Sequence, residues 1–300
     1  MDLDIGPGVY VLAVSGGVDS VVLLDMVVKN TQSKLNNVEL IVAHFDHGIR
    51  HDSAEDTKFV GGLAEQHGLR FTHGEASLGP NASEEQARTA RYEFLFKVVE
   101  EYKAKALITA HHQDDLIETA LLNILRGTNR RGLSSLQSSD SLMRPLLNIT
   151  KASLVDYAKD NHLGWREDST NTDERYLRNY LRLNILQNLT SENRTKLVKL
   201  ISNQTELNGQ IDELLEQLIR EELKDNQIPR LWLATLDSKL INEVLATWLR
   251  QNGVYNYNQT SLKRLNTELR VAKVNSLVDA IADRKIIVGK DNLALKPIER

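Results

Sequence analysis

Over the first 125 residues, short apolar runs alternate four times with segments of helical period, and few folds accept that pattern. Residues 9–14 read as a buried strand, 21–29 as a helix, 40–45 as a second strand and 54–67 as a second helix. A short third strand over 69–73 precedes a long helix over 83–102. That helix opens on a cap signature, Ser83 followed by Glu84, Glu85 and Gln86. A fourth strand over 105–109 and a helix over 114–125 complete the series. Such alternation implies an α/β fold, a parallel sheet with helices on both faces.

Past residue 125 the pattern changes. Residues 126–141, rich in Gly, Ser, Asn and Arg, read as loop, and 149–161 as helix. From about residue 176 the chain is mostly helical. Leu197, Leu200, Ile201, Leu207, Ile211, Leu214, Leu215, Leu218 and Leu223 recur near helical spacing, with Gly209 weakening the middle. Pro229 marks a break. Helices over 238–251 and 260–271 follow, then a hairpin over 285–296 that turns at Gly289, Lys290, Asp291 and Asn292. The expected division is a catalytic domain over 1–190, a helical linker over 191–228 and a small, mainly helical C-terminal domain over 229–300.

The chain holds no cysteine, which excludes a disulfide scaffold, a cysteine zinc site, an iron–sulfur cluster and persulfide chemistry. Its apolar runs are too short to span a bilayer, and the acidic opening Met1-Asp2-Leu3-Asp4 is unlike a leader peptide. A cytoplasmic protein with no membrane partner is expected. The net charge of −4 is unevenly spread. Residues 1–125 carry ten basic against nineteen acidic side chains, a net of −9, whereas 126–182 carry +3 and 183–300 carry +2. An acidic first half with a more basic remainder suits a protein that receives a polyanion on one side.

The strongest chemical signal is Ser15-Gly16-Gly17-Val18-Asp19-Ser20, between the first strand and the first helix. Glycines there let the backbone approach a ligand closely, and successive N–H groups can point at phosphate oxygens. The helix N-terminus behind them favours an anion. The string is not a Walker A loop, because no Lys follows the glycines, nor a dinucleotide fingerprint, because only two adjacent glycines are present. Asp19 would repel a pyrophosphate unless a cation lies between them, which implies Mg²⁺. A plain Gly-Gly turn capped by Asp19 explains less of the hexapeptide.

A second cluster, His111-His112-Gln113-Asp114-Asp115-Leu116-Ile117-Glu118-Thr119, follows the fourth strand, at the sheet end where α/β folds bind ligands. His111 and Asp115 are four apart and Asp115 and Glu118 three apart, so on a helix the three share one face. A dipole-stabilising acidic first turn would account for the carboxylates but not for the histidines. A third string, His44-Phe45-Asp46-His47-Gly48-Ile49-Arg50, ends the second strand. A zinc site from His44, His47 and His51 is disfavoured, since a strand end offers no fixed spacing for three ligands.

The hexapeptide resembles the signature of the N-type ATP pyrophosphatases, which adenylate a carbonyl oxygen and release pyrophosphate. The wider set of strings is similar to the bacterial tRNA(Ile)-lysidine synthases, in a short form. It adds His44 to Gly48, Ala87-Arg88-Thr89-Ala90-Arg91-Tyr92, His111 to Gly127, Arg144-Pro145-Leu146-Leu147, Glu167-Asp168-Ser169-Thr170-Asn171, and Tyr176-Leu177-Arg178-Asn179-Tyr180-Leu181-Arg182. Beyond about residue 190 only the layout matches.

That resemblance implies a Rossmann-like, adenine nucleotide alpha hydrolase-like catalytic domain and a C-terminal tRNA-binding domain. It implies ATP as substrate with Mg²⁺, L-lysine as nucleophile and the CAU-anticodon isoleucine tRNA as acceptor, and it allows a homodimer. The wobble cytidine would be adenylated at its C2 oxygen and then attacked at C2 by the lysine ε-amine. Ser15, Gly16, Gly17, Val18, Asp19 and Ser20 would bind ATP, with Asp19 working through Mg²⁺. Asp19, His111, Asp115 and Glu118 are the candidate catalytic residues, with the general base left open between His111 and the two carboxylates. Arg88, Arg91, Arg126, Arg178 and Arg182 are candidate tRNA or nucleotide contacts, as are Arg130 and Arg131. Missing cysteines disfavour the tRNA thiolases of the same group, and an NAD synthase would leave the Arg-rich 126–182 stretch without a role. A catalytically dead tRNA-binding protein is disfavoured by the intact phosphate-loop and carboxylate strings.

Overall fold

A computed structural model describes residues 5–33, 37–48, 53–76, 79, 83–128, 130–166, 177–254, 257–281 and 284–296. The elements run β1 (Gly8–Ala13), α1 (Val18–Ser33), β2 (Val38–Asp46), α2 (Ser53–Gln66), β3 (Arg70–Glu75), α3 (Glu84–Glu101), β4 (Ala106–Ile108) and α4 (Gln113–Leu125). There follow α5 (Arg130–Leu133), β5 (Leu142–Met143), α6 (Lys151–Asp160), α7 (Leu177–Tyr180) and α8 (Ser191–Glu222). The remainder is β6 (Ile228–Pro229), α9 (Arg230–Thr235), α10 (Ser238–Gln251), α11 (Gln259–Val271), β7 (Ser276–Asp279), β8 (Lys285–Val288) and β9 (Asn292–Leu295). None of the described helices is long and apolar enough to cross a membrane.

The chain divides into two compact units, residues 1–123 with 135–199, and residues 124–134 with 200–300. The stretch expected as a linker splits between them, because the α8 residues Leu215 and Ile219 belong to the core of the second unit.

In the first unit five parallel strands are ordered β3-β2-β1-β4-β5. Alternation along each strand sends neighbours to opposite faces. Leu12, Val42 and Ile108 pack with Val22, Val27, Val60, Leu154 and Ala158 on one side. Val11, Ile41 and Leu107 pack with Leu95 and Val98 of α3 on the other. Strands buried on both faces explain why the sequence shows apolar runs rather than alternation. The Ser83 cap forms as expected: the Gln86 N–H donates to Ser83 Oγ at 3.2 Å, and the Ser83 N–H donates to Gln86 Oε1 at 2.9 Å.

Three features depart from the sequence reading. The loop over 126–141 contains the helical turn α5. Strand β5 escaped notice because two residues carry no periodicity; pairing with β4 makes it a strand. The helix over 191–222 passes through Gly209 without a break.

The second unit combines its helices with a four-stranded antiparallel sheet, β6-β9-β8-β7, whose centre is the expected hairpin. Its core gathers around the fully buried Trp248, whose indole N–H donates to the Asn226 carbonyl at 3.0 Å.

Candidate functional site

Strand order reverses between β1 and β4, and such a switch point opens a crevice at the carboxyl ends of the strands. Ser15 to Ser20 leave β1 on one side of this crevice, and His111 to Glu118 leave β4 on the other. Gly16 has φ +91°, a conformation that L side chains rarely adopt. The Ser15 N–H donates to Ser20 Oγ at 3.1 Å, the two hydroxyls lie 3.2 Å apart, and Ser20 Oγ donates to the Gly17 carbonyl at 2.9 Å. The loop is thus pre-shaped by its own serines.

Two props hold it from outside. His44 Nδ1 lies 2.8 Å from the Val14 carbonyl, which can only accept, so that nitrogen carries the proton. Burial pushes the His44 pKa down despite that bond, and the ring stays neutral. With Nδ1 committed in this way, His44 serves as a support for the loop; Ile49, Arg50 and His51 of the disfavoured zinc reading lie outside the described residues. On the other side the Arg166 N–H donates to the Gly16 carbonyl at 2.9 Å, while its guanidinium reaches Asp56 at 2.9 Å and Glu55 at 2.8 Å.

Asp19 is gripped by a residue the sequence reading missed. Lys151, the first residue of α6, places Nζ 2.7 Å from each Asp19 carboxylate oxygen. Burial alone would raise the Asp19 pKa, but His112 and Lys151 together hold it below the usual value. The Lys151 N–H also donates to Asp114 Oδ1 at 3.4 Å, and Arg194 donates to the same oxygen at 2.7 Å.

The histidines are placed differently from the sequence expectation. Helix α4 begins at Gln113, so His111 precedes it and the helical spacing does not put His111 on the Asp115–Glu118 face. His112 stands between the carboxylates instead. Its Nδ1 accepts the Asp114 N–H at 3.2 Å, which leaves Nε2 as the proton-bearing nitrogen, 3.6 Å from Asp19 and 3.5 Å from Asp115. Burial opposes charge on His112, yet Asp19 and Asp115 outweigh it and raise the pKa. His111 turns to Thr109, with Nδ1 2.9 Å from the hydroxyl. Burial first, then the cations Arg144, Arg91 and Arg88, push its pKa down to about 3.

Glu118 is 1% exposed and held by two cations. Arg182 donates from Nε to Glu118 Oε2 at 3.0 Å and lies 3.4 Å from Asp115 Oδ1, and Arg178 pairs with Glu118 Oε1. Burial still raises the Glu118 pKa against both. Residues Leu181–Ile185 form a single π turn, a form of helix often found at functional sites.

The remaining arginines divide. Arg88 and Arg91 lie 4.8 Å and 5.4 Å from the Tyr92 ring centroid, on the α3 side of the first unit. Arg126 is exposed and belongs to the second unit. There Arg130 is tied to Asp212 at 2.6 Å and Glu243 at 2.8 Å, and Arg131 also pairs with Asp212. Both are tied to carboxylates within that unit. The string Glu167 to Asn171, and Tyr176, lie outside the described residues.

Comparison with known proteins adds the following. A family model described as the PP-loop domain matches residues 5–189. A tRNA(Ile)-lysidine synthase of Synechococcus sp. is 32% identical over 299 residues, covering 96% of this chain and 90% of that one. Another of Solibacter usitatus is 34% identical, covering 65% of this chain and 44% of its own length. A third of Lactobacillus johnsonii is 39% identical, covering 61% and 44%. The chain thus spans less than half the length of the latter two relatives. Among solved structures, a U34-tRNA thiolase of Methanococcus maripaludis with its [4Fe-4S] cluster shares the fold, with a TM-score of 0.56 and 18% identity over 67% of this chain and 74% of that one.

Proposed function

The chain belongs to the PP-loop domain family and, within it, to the tRNA(Ile)-lysidine synthases, and from that premise we propose that it joins lysine to C2 of the wobble cytidine of a CAU-anticodon isoleucine tRNA at the expense of ATP. The observation that carries this reading is the crevice itself. A phosphate loop ends one strand, a carboxylate pair follows its neighbour, and His112 stands within 3.6 Å of Asp19 and 3.5 Å of Asp115.

ATP lies with its β and γ phosphates on the Ser15–Ser20 loop. The cytidine C2 oxygen attacks the α-phosphorus, the α–β bridging bond breaks, and pyrophosphate departs with that electron pair. Fixed N–H donors and the Lys151 ammonium stabilise the charge that grows on the leaving group. Lys151 therefore supplies from 132 positions downstream the cation that the loop itself lacks.

Asp19 fits a Mg²⁺ carried in on the nucleotide, since one or two carboxylates suffice for such an ion and its side chain is 26% exposed. The described residues contain no group of three or more His, Cys, Asp or Glu that would cage a metal without the phosphates. Asp19 would hold such an ion, which would offset the charge between the carboxylate and the phosphates, and Lys151 beside it is the cation within reach of the leaving group.

The incoming lysine has an ammonium of pKa about 10.4 and must lose a proton before attack. Asp115 and Glu118 receive the ammonium, displacing part of the Arg182 contact. Both carboxylates are engaged, Glu118 by Arg178 and Arg182 and Asp115 by Arg182 and the His112 N–H, so whichever takes the proton must first exchange a partner. With a pKa of about 3, His111 is too weak a base for this step. The free amine attacks C2, AMP leaves with the former C2 oxygen, and lysidine remains. Arg88, Arg91 and Arg126 contact the tRNA backbone, and residues 229–300 form its second binding surface.

The test is incorporation of labelled lysine into a CAU-anticodon isoleucine tRNA with ATP and Mg²⁺, beside an Asp19→Ala control. ATP-dependent incorporation that vanishes in the control supports the reading. Its absence in the wild-type protein, with cleavage of ATP to AMP and pyrophosphate on a small substrate, would overturn it.

A further inference from the structure

Arg144 is 8% exposed, yet no carboxylate among the described residues pairs with its guanidinium. Its Nη1 donates to the Gln137 carbonyl, and its Nε is buried without a hydrogen-bond partner. Taking a guanidinium out of water without a counter-ion is costly, so buried charges are nearly always paired. A charge left in this state is matched to an anion that arrives from outside.

Its place in the fold says which anion. Arg144 follows directly on Met143, the last residue of β5, and the Thr109 N–H donates to the Met143 carbonyl at 3.0 Å, so Arg144 lies at the carboxyl edge beside the start of the His111–Glu118 string. Its charge heads the cations that act on His111, followed by those of Arg91 and Arg88 of α3. The phosphate loop leaves β1, two strands away across the β1-β4-β5 order, which at about 4.8 Å per strand is on the order of 10 Å. A nucleotide seated on that loop has its pyrophosphate remote from Arg144. In-line attack puts the reacting cytidine opposite the leaving pyrophosphate, and the β5 side of the crevice, where Arg144 lies, is away from the phosphate loop. An RNA nucleotide there brings its own backbone phosphate.

We propose that Arg144, assisted by Arg91 and Arg88, binds the backbone phosphodiester next to the cytidine that is modified, and so holds the extruded nucleotide against the α-phosphate. Extrusion of a base gives up its stacking, and a buried phosphate clamp offsets that loss at the point where it arises. The inference rests on the tRNA reading above.

The experiment measures binding of an anticodon stem-loop RNA and, separately, of ATP, to the wild-type protein, Arg144→Gln and Arg144→Lys. Thermal unfolding of each variant is followed alongside. The expected result is RNA affinity reduced about tenfold or more in R144Q, partly restored in R144K, with ATP affinity unchanged. The slope of log affinity against log salt should fall by about 0.7, the value for one contact with a single strand. A methylphosphonate in place of the phosphate beside the wobble nucleotide should weaken wild-type binding clearly more than R144Q binding, a result that stands even if R144Q is less stable. RNA binding unchanged in R144Q, or equal sensitivity of both proteins to the methylphosphonate, would make Arg144 a structural residue only and overturn the inference. Loss of ATP affinity with RNA affinity intact would overturn it in favour of a nucleotide phosphate. If the wild-type protein does not bind the stem-loop, the tRNA reading falls first and the inference with it.

Discussion

His111 should make the protein acid-sensitive by a calculable amount. The ordinary histidine value is 6.5, and burial with three neighbouring guanidiniums pushes His111 down to about 3. Its folded pKa is depressed, so the unfolded chain takes up the proton first. The stability it contributes is complete above pH 6.5 and is lost progressively as the pH falls toward 3. Between pH 7 and pH 5 the loss from this one ring is about 2 kcal/mol, since each pH unit below the unfolded value costs about 1.4 kcal/mol. His111→Gln removes the titration while keeping a polar partner for Thr109. Urea unfolding of both proteins at pH 7 and pH 5, with histidine-selective NMR to follow the ring, isolates the effect. The variant should lose about 2 kcal/mol less than the wild type over that interval, and the His111 resonance should stay neutral at pH 5. Equal pH dependence in the two proteins, or a His111 resonance that titrates near pH 6, would refute the reasoning. In R144Q the same resonance should titrate at higher pH, because the leading cation has been removed.

Glu118→Gln should destabilise the first unit by about 3 kcal/mol. That is the low end for breaking a buried ion pair, because Arg178 and Arg182 are 30% and 36% exposed; chemical denaturation checks it. Lys151→Met should slow pyrophosphate release roughly 10²–10³-fold, with Lys151→Arg keeping most of the activity, as measured by tRNA-dependent pyrophosphate production. Ser83→Ala should cost about 1 kcal/mol through loss of the capping box, read as a lower midpoint of thermal unfolding with activity per folded molecule unchanged.

What could be read from the sequence was whatever is encoded locally. The β1–loop–α1 unit, the Ser83 box and the 285–296 hairpin each carry their signal within a few residues, and each forms. Lys151, Arg166 and Arg194 carry none, because their partners Asp19, Asp56 and Asp114 lie 132, 110 and 80 positions away and only the sheet brings them together. A hint was present for Lys151: it follows Thr150, a good N-cap, at the start of a helix that returns to the same edge of the sheet. Helical spacing groups His111 with Asp115 and Glu118 only if the helix reaches back beyond the 114–125 span, whereas α4 begins at Gln113 and His112 is the ring that lies beside Asp19 and Asp115. Arg144 looked like any arginine until its burial without a counter-ion was visible.

The strand order has a consequence for how this protein comes into being. β1, β2 and β3 are complete by residue 75, whereas β4 and β5, on the far side of the crevice, are synthesised only later. A chain emerging from the ribosome therefore carries its phosphate loop for some seventy-five residues of further synthesis before Lys151 can reach Asp19, a delay of several seconds at roughly 5–20 residues per second. Until residue 112 is made Asp19 has neither its lysine nor His112 beside it, and until residue 151 it still lacks the lysine. The site is completed only when α6 arrives, by closing a loop of 132 positions, and a truncated product would display the family's signature string without the means to use it.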